Sequence, residues 1–85
     1  MQQDCLILFR SLTYAQRAAH LLERGGVTAT VRKAPLNLTD RGCTYGVRLR
    51  EKRLERALAL LKQRGVDHGK VFLMRADGDY HEVQP

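Results

Sequence analysis

Cys5-Leu-Ile-Leu-Phe9 is an unbroken apolar run, the pattern of a central strand buried on both faces. From Ser11 onward the period changes. Ala15, Ala18, Ala19 and Leu22 recur at i, i+3, i+4 and i+7, which predicts an amphipathic helix over 12–24. Thr13-Tyr-Ala-Gln16 reads as a capping box, with Ser11 as the alternative N-cap, and Gly25-Gly26 stops the helix. Alternation and β-branched residues then predict a strand over 27–33. A third strand is expected over 44–49. A second helix over 51–64 carries Leu54, Ala57, Leu58 and Leu61 as its stripe, and Val71-Phe-Leu-Met74 reads as a fourth strand. Of these residues, Ala18, Leu22, Leu58 and Leu61 are the expected centre of the core. After a domain spanning 1–75, the tail 76–85 contains an Asp77-Gly78 turn and reads equally as a short extra hairpin strand or as a loose end.

A shift of 39 residues overlays the halves: Arg17 on Arg56, Ala18 on Ala57, Leu21-Leu22 on Leu60-Leu61, and Gly26-Val27 on Gly65-Val66. Two βαβ units of equal period imply a single α+β domain of the ferredoxin-like βαββαβ type, a two-layer sandwich. Its antiparallel sheet would run 4-1-3-2 with both helices on one face. The second face would then meet solvent or a partner, which admits a homodimer.

Composition narrows the function without naming it. Hydrophobic residues are 44% and charged residues 28% of the 85, which suits one folded domain. The start, MQQDCLILFR, has no basic leader region, and its apolar run is too short for a signal peptide or a membrane span. Cysteines without a secretion signal suit a reducing, cytoplasmic compartment. Lys and Arg number 15 against 9 Asp and Glu, a net charge of +6. That excess is scattered along both helices, and no aromatic-basic strand motif of the RNA-recognition type is present, which argues against nucleic acid. Cys5, Cys43, His20, His68 and His81 form no short-range ligand pair, so neither a metal nor another cofactor is expected.

The chemically suggestive stretch is the loop from Ala34 to Cys43, which opens on Pro35, crosses Asp40-Arg41-Gly42 and sets a thiol directly before a strand. In its structural reading, Leu36 and Leu38 plug the end of the core and Asp40-Arg41-Gly42 is a turn. Its length favours a functional role, since long loops in compact domains carry binding or chemistry. In a 4-1-3-2 sheet, Cys43 would stand beside the end of the first strand, near Arg10 and the helix start at Ser11. A helix N-terminus stabilises an anion by about 0.3–1 kcal/mol. Arg41 and Arg48 are further candidates to stabilise a thiolate there. No histidine is placed to act as a base for Cys43. Cys5 opens the first strand at the opposite end of the sheet, some ~13–17 Å along the strand. A disulfide needs Cα atoms within about 7 Å, so the two cysteines should not pair.

Phe9-Arg-Ser11, the Ala-rich helix ending Leu-Leu-Glu-Arg-Gly-Gly-Val27, Pro35, Cys43 and the Gly46-Val-Arg-Leu-Arg50 strand together resemble the small selenium/sulfur (Se/S) carrier-like proteins over about residues 5–74. The resemblance implies a bacterial cytoplasmic protein whose loop cysteine, Cys43, carries sulfur or selenium as a persulfide-type adduct between donor and acceptor proteins. The family usually places glycine directly after that cysteine; here Thr44 and Tyr45 intervene before Gly46, and Gly42 precedes it. A carrier needs no base of its own and is not an enzyme in its own right. The alternative is a non-catalytic binding module for a small anionic ligand, a protein or RNA, in which the basic surface does the work.

Overall fold

A computed structural model of the chain describes residues 3–35, 38 and 45–83. Strand β1 (Asp4–Phe9) leads into helix α1 (Leu12–Arg24) and strand β2 (Thr30–Lys33). Strand β3 (Tyr45–Arg50) continues through a 3₁₀ turn (Glu51–Arg53) into helix α2 (Leu54–Gln63), then β4 (Val71–Met74) and β5 (Tyr80–Val83). The result is a mixed α+β domain with two helices and a five-stranded antiparallel sheet ordered β2-β3-β1-β4-β5. It is compatible with a ferredoxin-like arrangement. The sheet departs from the expected four-stranded 4-1-3-2 by a fifth strand added outside β4. Of the two readings of the tail, the strand is the one found. Gly78 adopts φ +88° in the turn, and the Asp79 amide donates to Asp77 Oδ1, so the Asp-Gly pair closes the hairpin.

Strand β1 is central and both its faces are covered. Cys5, Ile7 and Phe9 point to the helices, where they pack with Ala15, Ala18, Leu22, Ala57 and Leu61. Leu6 and Leu8 point the other way and form a second cluster with Ala34 and Phe72, onto which Leu38 and Tyr80 pack. The face expected to meet solvent or a partner therefore has a small core of its own. It needs no second subunit to bury Leu6, Leu8 and Phe72. Leu38 takes the plugging role anticipated for it; Leu36 lies outside the described residues. Gly46 explains how β1 and β3 close on this side. A Cβ there would stand 2.7 Å from Leu6 Cδ1 and 3.2 Å from the Ile7 carbonyl.

Three details differ from the sequence pattern for identifiable reasons. Ser11 caps α1, accepting the Tyr14 amide on Oγ at 3.3 Å, so the Thr13 capping box is not used. Strand β2 begins at Thr30 because Val27 is spent on ending the helix before it. Val27 donates its amide to the Leu22 carbonyl at 2.8 Å, and Gly26 donates to Glu23 at 3.0 Å. In α2, Leu58 is half-buried, not buried as expected. Ala57 and Leu61 hold the centre of that helix's inner stripe and push Leu58 to its flank with Leu54.

The 39-residue shift is physical. Val66 donates to Leu61 at 2.9 Å and Gly65 to Lys62 at 3.1 Å, repeating the Val27–Leu22 and Gly26–Glu23 bonds. Both helices thus end in the same Schellman motif, with Gly26 at φ +87° and Gly65 at φ +67°. A Cβ at either position would meet no atom within 4 Å, so its cost is conformational alone. Gly26→Ala and Gly65→Ala should each destabilise the fold by about 1–2 kcal/mol, the cost of left-handed backbone. Thermal unfolding followed by circular dichroism should show melting points lower by about 4–8 °C per kcal/mol in a domain of this size. Asn at the same positions should lose less, because it tolerates that backbone better.

Candidate functional site

The end of the sheet where β1 stops gathers several polar groups. Phe9 pairs with Tyr45, so β3 starts there, and Ser11 starts α1 two residues further on. The segment entering β4 closes the other side: the Gly69 amide donates to the Leu8 carbonyl at 2.7 Å and the Leu8 amide donates to the Lys70 carbonyl at 3.0 Å. α1 leaves this end and α2 returns to it, so the first turns of one lie beside the last turn of the other.

Between them is a cavity of about 460 Å³, lined by Arg10, Tyr14, Arg17, Arg64, Asp67 and His68, with Phe9, Val66 and two glycines behind. The Arg10 guanidinium lies over the Tyr14 ring, 5.4 Å from its centroid, an arrangement that restrains a side chain otherwise free in solvent. His68 Nδ1 is 2.7 Å from the Gly69 carbonyl. A carbonyl only accepts, so Nδ1 carries the proton and Nε2 is the remaining ring nitrogen. Among the described residues, no carboxylate lies within ion-pair distance of Arg10, Arg17 or Arg64.

The residues named from the sequence divide three ways. Arg10 and Ser11 are at this end of the sheet, although the Ser11 hydroxyl is engaged in capping the helix. Arg48 points away from it: its Nε donates to Asp4 Oδ2 at 2.7 Å, at the far end of β1, and Arg50 reaches Asp4 Oδ1 at 3.3 Å. Cys43 and Arg41 lie outside the described residues. Arg17, Arg64, Tyr14 and His68 were not named as site residues from the sequence. The signal available was topological: antiparallel helices bring residues near the start of α1 against residues at the end of α2. Arg17 and its repeat mate Arg56 look alike in the overlay, yet Arg56 instead donates from Nε and Nη2 to the Gly25 carbonyl at the opposite end of the helices.

Cys5 is a core residue, 0% exposed, and pairs with Leu49 at the end of β1 remote from Tyr45. Burial first, then the charges of Asp4 and Glu51, push its thiol up to about 12. His81 comes near Asp77 and Asp79, with one ligand atom from each within 4.8 Å of the others. All three are exposed, and Asp77 is already committed to the turn, so this group reads as hairpin chemistry. No helix among the described residues is long and apolar enough to cross a membrane.

A family model described as putative Se/S carrier protein-like matches residues 4–73, from the first residue of β1 into β4. The chain belongs to that family. No curated protein and no solved structure matches it.

Two results are expected for Cys5. With Cys43→Ser leaving it as the sole thiol, a small alkylating reagent at pH 7.5 should label the denatured chain and leave the native chain unlabelled. Its titration also bears on stability. An unfolded thiol near the ordinary value of 9.0 releases its proton before the folded one near 12, so the folded state binds the extra proton and stability falls as pH rises above 9. Chemical denaturation between pH 9 and 11 should show a smaller alkaline loss in Cys5→Ala than in the parent protein.

Proposed function

We propose that the protein is a sulfur or selenium carrier that uses Cys43 as its loading thiol, within a ferredoxin-like βαββαβ domain extended by β5. The observation that carries the proposal is the family match over residues 4–73, which spans the loop and its cysteine. The described geometry supports it. One residue, Thr44, separates Cys43 from Tyr45, and two successive chain links span at most about 7 Å. Tyr45 is paired with Phe9, beside Arg10 and the capped start of α1. A helix N-terminus and unpaired guanidinium groups favour a thiolate over a thiol. Cys5, sealed and held protonated, does not compete for the cargo.

Loading is a thiol exchange. The Cys43 thiolate attacks the outer sulfur of a donor protein's persulfide; the new S–S bond forms as the donor's S–S bond breaks, and the donor leaves as a thiolate. The outer sulfur keeps its proton, and no net oxidant is consumed. An acceptor thiolate removes the atom by the same exchange in reverse, and selenium follows the same course in place of the outer sulfur. Donor and acceptor are proteins in this scheme, and a reducing cytoplasmic setting keeps Cys43 free between exchanges. The carrier holds the atom and supplies no proton transfer, consistent with a role outside catalysis.

Intact-mass measurement after exposure to a protein persulfide donor tests this. The parent protein and Cys5→Ser should each gain the mass of one sulfur atom, mapping to the peptide that contains Cys43, and Cys43→Ser should gain none. Loading of Cys43→Ser, or no loading of the parent, overturns the carrier reading and leaves the basic cavity as the centre of a binding module.

A further inference from the structure

We infer that the cavity between the start of α1 and the end of α2 is a binding site for a phosphate-bearing small molecule. Three guanidinium groups line one cavity, and none has a carboxylate within ion-pair distance among the described residues. Like charges brought together without a counterion repel, and an anion in the cavity removes that repulsion. Three other guanidinium groups do have partners: Arg48 and Arg50 share Asp4, and Arg56 holds the Gly25 carbonyl. At this end Arg10, Arg17 and Arg64 line an open volume.

The residue types indicate the ligand's chemistry. Guanidinium groups present paired donors that match the oxygens of phosphate, and three of them suit a dianion better than a single carboxylate. The one acidic lining residue, Asp67, is outnumbered. The His68 ring adds an imidazole whose Nε2 is not committed to the Gly69 carbonyl. The volume, about 460 Å³, is within the range of small-molecule pockets and far larger than a bare phosphate needs. Val66 in its wall, with the Tyr14 ring, gives the organic part of such a ligand an apolar surface.

The site does not depend on the thiol, so its test is separate from the loading test. Amide resonances of the full chain are followed by NMR while inorganic phosphate, then phenyl phosphate, is titrated at low ionic strength. Saturable shifts are expected around Arg10–Arg17 and Arg64–Gly69, unchanged in Cys43→Ser. Phenyl phosphate should bind more tightly than inorganic phosphate. Arg17→Gln with Arg64→Gln should weaken both at least tenfold while leaving the melting temperature near that of the parent. If this double variant fails to fold, Arg10→Gln alone, on an exposed side chain outside both helices, should still weaken binding severalfold. Absence of saturable shifts, shifts spread over the basic surface, or undiminished binding in a folded variant overturns the site. Phenyl phosphate binding no tighter than phosphate overturns the organic ligand.

Discussion

Burial of β1 on both faces governs this fold. A five-residue apolar run cannot sit at a sheet edge or under one layer only; each of Ile7, Leu8 and Phe9 contributes about 1.5–3 kcal/mol when fully removed from water. All three are essentially inaccessible. The helices must therefore cover one face closely, which is why α1 offers Ala15, Ala18 and Ala19 to the sheet and keeps Leu22 for the gap near its end. The other face needs its own cover, and Ala34, Leu38, Phe72 and Tyr80 provide it. Gly46 belongs to the same constraint, because only a residue without a Cβ lets Leu6 lie across β3.

The same constraint shapes the candidate site. β1 stops where its apolar run stops, and Arg10 and Ser11 convert strand to helix within two residues. With the strand central, α1 and α2 lie side by side above it and run in opposite directions. The mouth between them combines the positive end of one helix dipole with the negative end of the other. The Schellman bonds from Gly65 and Val66 satisfy two carbonyl groups of α2, which weakens the negative contribution. Arg10, Arg17 and Arg64 then decide the sign of the local field.

Most of the architecture was legible because it depends on periodicity. The helix over 12–24 and the strand over 71–74 appear with the expected bounds, and the 39-residue repeat foretold identical helix ends. What was not legible depended on competition for single residues. Val27 has the side chain of a strand residue, but its amide was needed to close α1, so β2 starts later. Leu58 fits the helical stripe, but Ala57 and Leu61 already fill its centre. The second core was only partly legible: the apolar run of β1 and the plugging role of Leu38 pointed to it, but Ala34, Phe72 and Tyr80 join it from other parts of the chain. Strand order placed Arg10 and Ser11 at the Phe9 end, but Ser11 caps the helix and does not line the cavity, whereas Arg17 and Arg64 line it together only because the helices are antiparallel, which no local pattern records.

Arg48 shows how charge is distributed between the two ends of β1. From the sequence it belonged with Arg10 and Cys43, since it lies on the strand that follows the cysteine. Yet on β3 the side chain of residue 48 is on the face away from the helices and within reach of Asp4, and a carboxylate that is mostly buried and flanked by two arginines draws both. Asp4 offsets one of those two charges, and the thiol at that end, Cys5, is held protonated by burial and by Asp4 and Glu51. At the Phe9 end Arg10, Arg17 and Arg64 line the cavity with Asp67, and among the described residues none of the three has a carboxylate within ion-pair distance. One strand thus separates a thiol that burial, Asp4 and Glu51 hold protonated from an end lined by Arg10, Arg17 and Arg64.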